Sequence, residues 1–205
     1  MLHISQRKSL YRDLAVLFSY PDDDLLELLG NSERWAAAAK QLATPFPATE
    51  SVPELTVLEE TYTALFDAGL GGAAAPPYGS VYLDQPGLLM GPSTREVAAC
   101  YADAGLRLDG TVEPADFLPT ELEYLFYLVD REEQAIRNKD LAGAREMTGR
   151  QRRFLEQWLL SWLPEFVARL AARPQLVLYP AAGRFLLAYC QAELSWLQRL
   201  ENAGG

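Results

Sequence analysis

One histidine, His3, two cysteines, Cys100 and Cys190, and no apolar run near membrane-spanning length are the first facts of this 205-residue chain. The lone imidazole at the amino terminus removes His-based acid–base catalysis and His metal sites from consideration. Two distant thiols without histidine partners make neither a zinc site nor an activated nucleophile. Inside helical patterns they read as reduced core thiols of a cytoplasmic protein. A span would need roughly 20 consecutive apolar residues, and none approaches that. Met1 to Arg12 lacks the basic start, apolar core and small-residue cleavage site of a secretory signal. Cations are also scarce. Eighteen Lys and Arg against 28 Asp and Glu leave a formal charge of −10, which argues against nucleic acid and favours either simple solubility or a basic partner.

The chain does hold thirteen prolines, and the intervals between them are helical. Leu10, Leu14, Leu17 and Phe18 share a face, with Tyr11 beside them. Ser32 can cap a helix through Trp35 to Leu42. Glu54 to Phe66 sets Leu55, Leu58, Tyr62, Leu65 and Phe66 along one stripe. Thr94 and Thr120 each open a further helix. The chain turns near Asn138-Lys139-Asp140 and runs on from Leu141 to Trp162. Pro164 starts a short helix, and Pro180 precedes the last one. No segment alternates with a two-residue period, so the expected fold is all-α, one domain over residues 1–205.

Asp67 to Pro92 is a long connection, and its centre is Pro76-Pro77-Tyr78-Gly79-Ser80-Val81-Tyr82-Leu83. The prolines push their predecessors toward extended geometry, so this stretch is expected to be non-helical. Gly79 is expected to allow a turn that a side chain would resist. Val81, Tyr82 and Leu83 are β-prone but too isolated for a sheet. Two readings stay open: a buried plug, or an ordered aromatic loop that binds. Gly69-Leu70-Gly71-Gly72 lacks the Gly-Lys-Ser/Thr and preceding strand of a phosphate cradle. Asp116, Glu121 and Glu123 cluster at a helix start, either to complement its dipole or to present charge to a cation. Tyr62, Leu65 and Phe66 have the spacing of a core stripe and of a cleft wall alike.

Glu59 to Phe66, Pro76 to Leu83 and Gly91-Pro92-Ser93-Thr94 resemble, in order, the successive motifs of the TorD/DmsD family of redox-enzyme maturation chaperones. Glu113 to Leu125 looks like that family's Pro-x-Asp-His signature followed by a Glu-Leu-Glu helix. The run from Ala144 through Trp158 to Phe166 is also similar. The resemblance implies an all-α fold of about ten helices and a cytoplasmic chaperone without catalysis, metal or cofactor. Its partner would be the twin-arginine leader of a molybdopterin oxidoreductase precursor. Carried onto this chain, the peptide-binding residues would be Tyr62, Leu65, Phe66, Tyr78, Gly79, Ser80, Tyr82, Gly91 and Asp116, with Glu121 beside them. Phe117 stands where the family usually has histidine. An assembly factor acting on the folded subunit, as in the nitrate-reductase branch, and a nucleotide-binding helical protein are the alternatives. Whether the chain forms a homodimer stays open.

Overall fold

The computed structural model describes residues 2–31, 33–46, 52–67, 73–84, 90–108, 113–173 and 177–204. Ser32 and the Gly69–Gly72 run lie outside these. The described residues form helices α1 (Ile4–Phe18), α2 (Asp23–Gly30), α3 (Glu33–Leu42), α4 (Leu55–Phe66), α5 (Ser80–Leu83), α6 (Pro92–Asp103), α7 (Leu118–Arg137), α8 (Leu141–Phe154), α9 (Leu160–Ala171) and α10 (Leu178–Gly204). A π-helical turn, Leu155–Leu159, joins α8 to α9. No strand occurs among the described residues, so the helical expectation holds, and no helix there is long and apolar enough to cross a membrane.

The periodic leucines and aromatics face one shared core. Leu10, Tyr11, Leu14, Leu17 and Phe18 of α1 are buried with Leu122, Leu125, Leu128 and Val129 of α7. From the other side come Trp162, Leu163 and Phe166 of α9 and Phe185, Leu186, Tyr189 and Cys190 of α10. Helix α7 lies between α1 and α8. At 1.5 Å per residue its 20 residues run about 30 Å.

Several boundaries differ from the sequence expectation, each for a local reason. His3 is ordered: its ring accepts the Ser5 N–H, and Gln6 returns a bond to the His3 N–H, a capping box for α1. Helix α7 starts at Leu118 rather than Thr120, because Pro119 suits a first turn whose N–H has no helical partner. The same logic places Pro180 inside the first turn of α10. Pro164 does not start a helix but lies inside α9. Proline cannot donate to the carbonyl four residues back, and the wide π turn immediately precedes this interruption.

Four helices are tied by one buried cation. Arg7, 1% exposed, donates through Nε to Glu193 at 2.8 Å, through Nη1 to Glu132 at 3.1 and 3.2 Å, and through Nη2 to Gln151 at 2.6 Å. Gln151 donates in turn to Glu132 at 2.8 Å, and the Tyr189 hydroxyl donates to the Arg7 carbonyl. The Trp196 ring lies 4.3 Å from the guanidinium carbon. Two carboxylates surround one cation, and Glu193 Oε1 has no hydrogen-bond partner among the described residues. Burial pushes Glu193 up from 4.5 to about 7 against the pull of Arg7.

The sign of the resulting pH dependence is fixed. A carboxyl whose folded value is raised binds more protons folded than unfolded between about 4.5 and 7, so its contribution to stability falls as pH rises through that window. Glu193→Gln keeps an acceptor for Arg7 and removes the titration. Urea midpoints at pH 5 and 7.5 should converge in this variant relative to the parent; an unchanged difference would refute the assignment.

Candidate functional site

The segment 73–84 is pinned to the body at successive points. The Ala75 N–H donates to the Leu65 carbonyl at 2.9 Å, tying the loop to the end of α4. Leu118 N–H donates to Pro77 O at 2.8 Å and Gly79 N–H to Asp116 O at 2.9 Å, which makes Tyr78 and Phe117 an isolated antiparallel bridge. The prolines thus serve through their carbonyls, the only backbone polar groups they have. Ser80 N–H donates to Asp116 Oδ2 at 2.7 Å. Beyond the loop's helical turn, Asp84 accepts from both the backbone and the hydroxyl of Ser93 in the first turn of α6.

Ser80–Leu83 is helical, which corrects the expectation of an extended stretch. The two prolines constrain only themselves and the residues before them, and a carboxylate that caps the turn outweighs the weak strand preference of Val81 and Tyr82. Gly79 is not needed for its backbone: φ is −57° and ψ −40°. Space is tight there instead: a Cβ would lie 3.1 Å from Trp162 Nε1, so the indole would have to give by a few tenths of an ångström.

Asp116 and Glu121 sit beneath this loop, each 1% exposed. The sequence left them as dipole-complementing or cation-presenting surface acids; they are interior because the Pro114–Phe117 turn tucks under segment 78–80. Asp116 Oδ1 and the Ser80 hydroxyl have no hydrogen-bond partner among the described residues. Glu121 Oε2 accepts the Trp162 indole N–H at 3.3 Å. Burial and the charge of Asp116 push the Glu121 carboxyl well above its usual range, which favours the protonated form.

Above them runs a row of rings. Tyr82 stacks on Trp162 (5.4 Å), Trp162 meets Phe166 (5.7 Å), Phe166 meets Phe66 (6.0 Å), Phe66 meets Tyr62 (4.8 Å) and Tyr62 meets Tyr20 (5.4 Å). Its middle is covered, whereas Tyr20 is 56% exposed and Tyr82 half-buried. The Tyr82 hydroxyl donates to Pro76 O at 2.9 Å, and Arg169 lies 4.5 Å over the ring. Leu83 and Met90 are exposed nearby in sequence.

A second aromatic pair carries the negative charge. Tyr78 stacks on Phe117 at 5.2 Å and donates its hydroxyl to exposed Glu113 at 2.9 Å. Burial pushes the Tyr62 hydroxyl up to about 12, with Glu113 and Asp67 adding to it, so both carboxylates act on this end of α4.

The sequence-derived residues therefore fall into three places. Tyr62, Phe66 and Tyr82 share the ring row. Tyr78, Gly79, Ser80, Asp116 and Glu121 form the clamp below and beside it. Leu65 and Gly91 stand apart: Leu65 is a core side chain whose carbonyl anchors the loop, and buried Gly91 caps α6. Trp162, Phe166, Arg169, Tyr20 and Glu113 were not singled out as site residues. Glu113, Trp162 and Phe166 had a local signal, lying in the stretches that resemble the family; Arg169 and Tyr20 join through tertiary contacts. Among the described residues no group of three or more His, Cys, Asp or Glu could hold a metal ion.

Removing the clamp isolates its contribution. Asp116→Ala strands the buried Ser80 N–H and should cost about 1–3 kcal/mol. Urea unfolding should register that loss, and amide exchange at Ser80 should accelerate. Unchanged stability would mean that Asp116 does not hold the loop.

Comparison with known proteins places the chain among relatives. "Chaperone protein TorD" of Vibrio parahaemolyticus is 30% identical over 124 residues, covering 60% of this chain and 56% of that protein. The protein of the same name from Vibrio cholerae is 34% identical over 128 residues, covering 62% and 56%. The chain thus matches little more than half the length of these relatives. A solved structure described as a putative redox enzyme maturation protein from Archaeoglobus fulgidus superposes with a TM-score of 0.52 over 97% of this chain and 96% of the other, at 20% identity, which speaks to fold alone. The model of the nitrate reductase delta subunit family matches residues 30–168, well over half of the chain, and the chain belongs to that family.

Proposed function

We propose that the chain is a cytoplasmic maturation chaperone that binds the twin-arginine leader of a molybdopterin oxidoreductase precursor and holds it until folding and cofactor insertion are complete. It does so by binding alone, without catalysis or a cofactor of its own. The observation that carries this is the pairing of surface-reaching rings, Tyr20, Tyr78 and Tyr82, with the exposed carboxylates Glu113 and Asp67. A leader of this type has a basic stretch followed by an apolar helix, so it needs both kinds of surface side by side.

Each earlier candidate then has a narrower role. Tyr82, Tyr78 and the outer edge of Tyr62 contact the peptide, with Leu83 and Met90 adding apolar area. Glu113 and Asp67 meet the cations. Asp116, Glu121, Gly79, Ser80 and Gly91 position the loop, and Leu65 and Phe66 support it from the core. The charge of −10 steers a cationic segment to this surface. A second reading, action on the folded subunit, draws on the family's description as a nitrate reductase delta subunit.

Calorimetric titration separates the two. A leader with its paired arginines should bind more tightly than an Arg-to-Gln leader, and the difference should shrink as salt screens exposed charges over about 10 Å at 0.1 M. Tyr82→Ala should weaken binding by about 1–3 kcal/mol. Equal binding of both leaders would refute leader recognition. Tight binding of the mature subunit without its leader would favour the second reading.

A further inference from the structure

Two arginines lie over aromatic rings among the described residues, and they differ in kind. Arg7 over Trp196 is 1% exposed and donates to three side chains, so it is locked in place. Arg169 over Tyr82 is different. Its guanidinium carbon is 4.5 Å from the ring centroid, and Nη2 donates to Glu165 Oε1 at 2.6 Å across one turn of α9. The Arg169 side chain is 38% exposed and that of Glu165 58%. An exposed pair of this spacing adds little to a helix, so parting it costs little.

The ring beneath is, by contrast, fixed. Tyr82 is stacked on Trp162 and its hydroxyl is tied to Pro76. The ring belongs to α5, which Asp116 and Asp84 clamp at its two ends. A rigid aromatic face beside a carboxylate is the environment that a planar guanidinium prefers to a compact ammonium. Here a guanidinium already occupies it, and that guanidinium hangs on a long, half-exposed stem.

We propose that Tyr82 and Glu165 form a seat for a guanidinium carried by a bound peptide, which Arg169 fills in the free protein and vacates when the peptide arrives. Arg169 thereby covers the ring against casual apolar contact and sets a threshold that only an arginine-bearing ligand overcomes, because such a ligand restores both the stacking and the ion pair. This rests on the leader-binding function, since it names where one of the leader's arginines goes.

Two probes separate the seat from that function. Acetyl-Arg-Arg-amide, followed by the magnetic resonance shifts of the Tyr82 ring, reads the seat directly; the full leader, by calorimetry, reads the function. Arg169→Ala should tighten binding of the arginine dipeptide by about threefold to tenfold, the range of an exposed to partly desolvated cation–π contact. Acetyl-Lys-Lys-amide should gain less, and adding Glu165→Gln should erase most of the gain. Arg169→Gln, which keeps the stem and removes the charge, should behave like the alanine variant. Dipeptide binding at Tyr82 without leader binding would support the seat and refute the function. Leader binding with no Tyr82 response to the dipeptide, or with unchanged or weaker binding in both Arg169 variants, would overturn the seat alone.

Discussion

Asp116 Oδ2 accepts the Ser80 N–H at 2.7 Å inside the protein, and the carbonyl of the same residue accepts from Gly79. These two bonds tie the start of a single helical turn, Ser80–Leu83, to the body of the protein. Leaving the buried Ser80 N–H unpaired would cost about 1–3 kcal/mol, enough to release a four-residue helix. From the clamp follow the position of α5, the stacking of Tyr82 on Trp162, and the close approach of Trp162 to Gly79. Glu121 completes the arrangement from below through Trp162, and burial beside Asp116 disfavours its charge.

The rest of the chain makes that clamp rigid. Helix α7 begins at the clamp and ends, about 30 Å away, beyond the Arg7 network. Arg7 joins α1, α7, α8 and α10, so α7 is tied to three neighbours at its end remote from the site. A buried ion cluster of this kind is weak evidence for net stability, but removing one member leaves an uncompensated charge.

Much of this was legible in the sequence where the cause was local. The spacing of Leu10, Leu14, Leu17 and Phe18, the turn at Asn138–Asp140 and the lack of two-residue alternation all follow from periodicity and backbone chemistry. The segment around Tyr78 stood out because its residue types are unusual together. What was illegible depended on distant partners. The helical turn at Ser80 is set by a carboxylate 36 residues later, and the crowding at Gly79 comes from a tryptophan on α9. Nothing adjacent to Asp116 distinguishes a surface acid from a buried anchor; only the fold over it does. Pro164 was misplaced because a π turn can carry a helix into a proline, and no single-residue rule signals one.

The central claim is that the loop clamped by Asp116 presents one binding face, at the end of the molecule where α7 begins. Hydrogen–deuterium exchange of the protein with and without a twin-arginine leader tests it most directly. The account predicts added protection in residues 78–84, around Glu113 to Phe117, and at the end of α4, with the remote ends of α7 and α10 unchanged. Protection concentrated instead around Ile136, Leu141 and Leu200, the exposed apolar residues at that remote end, would contradict it.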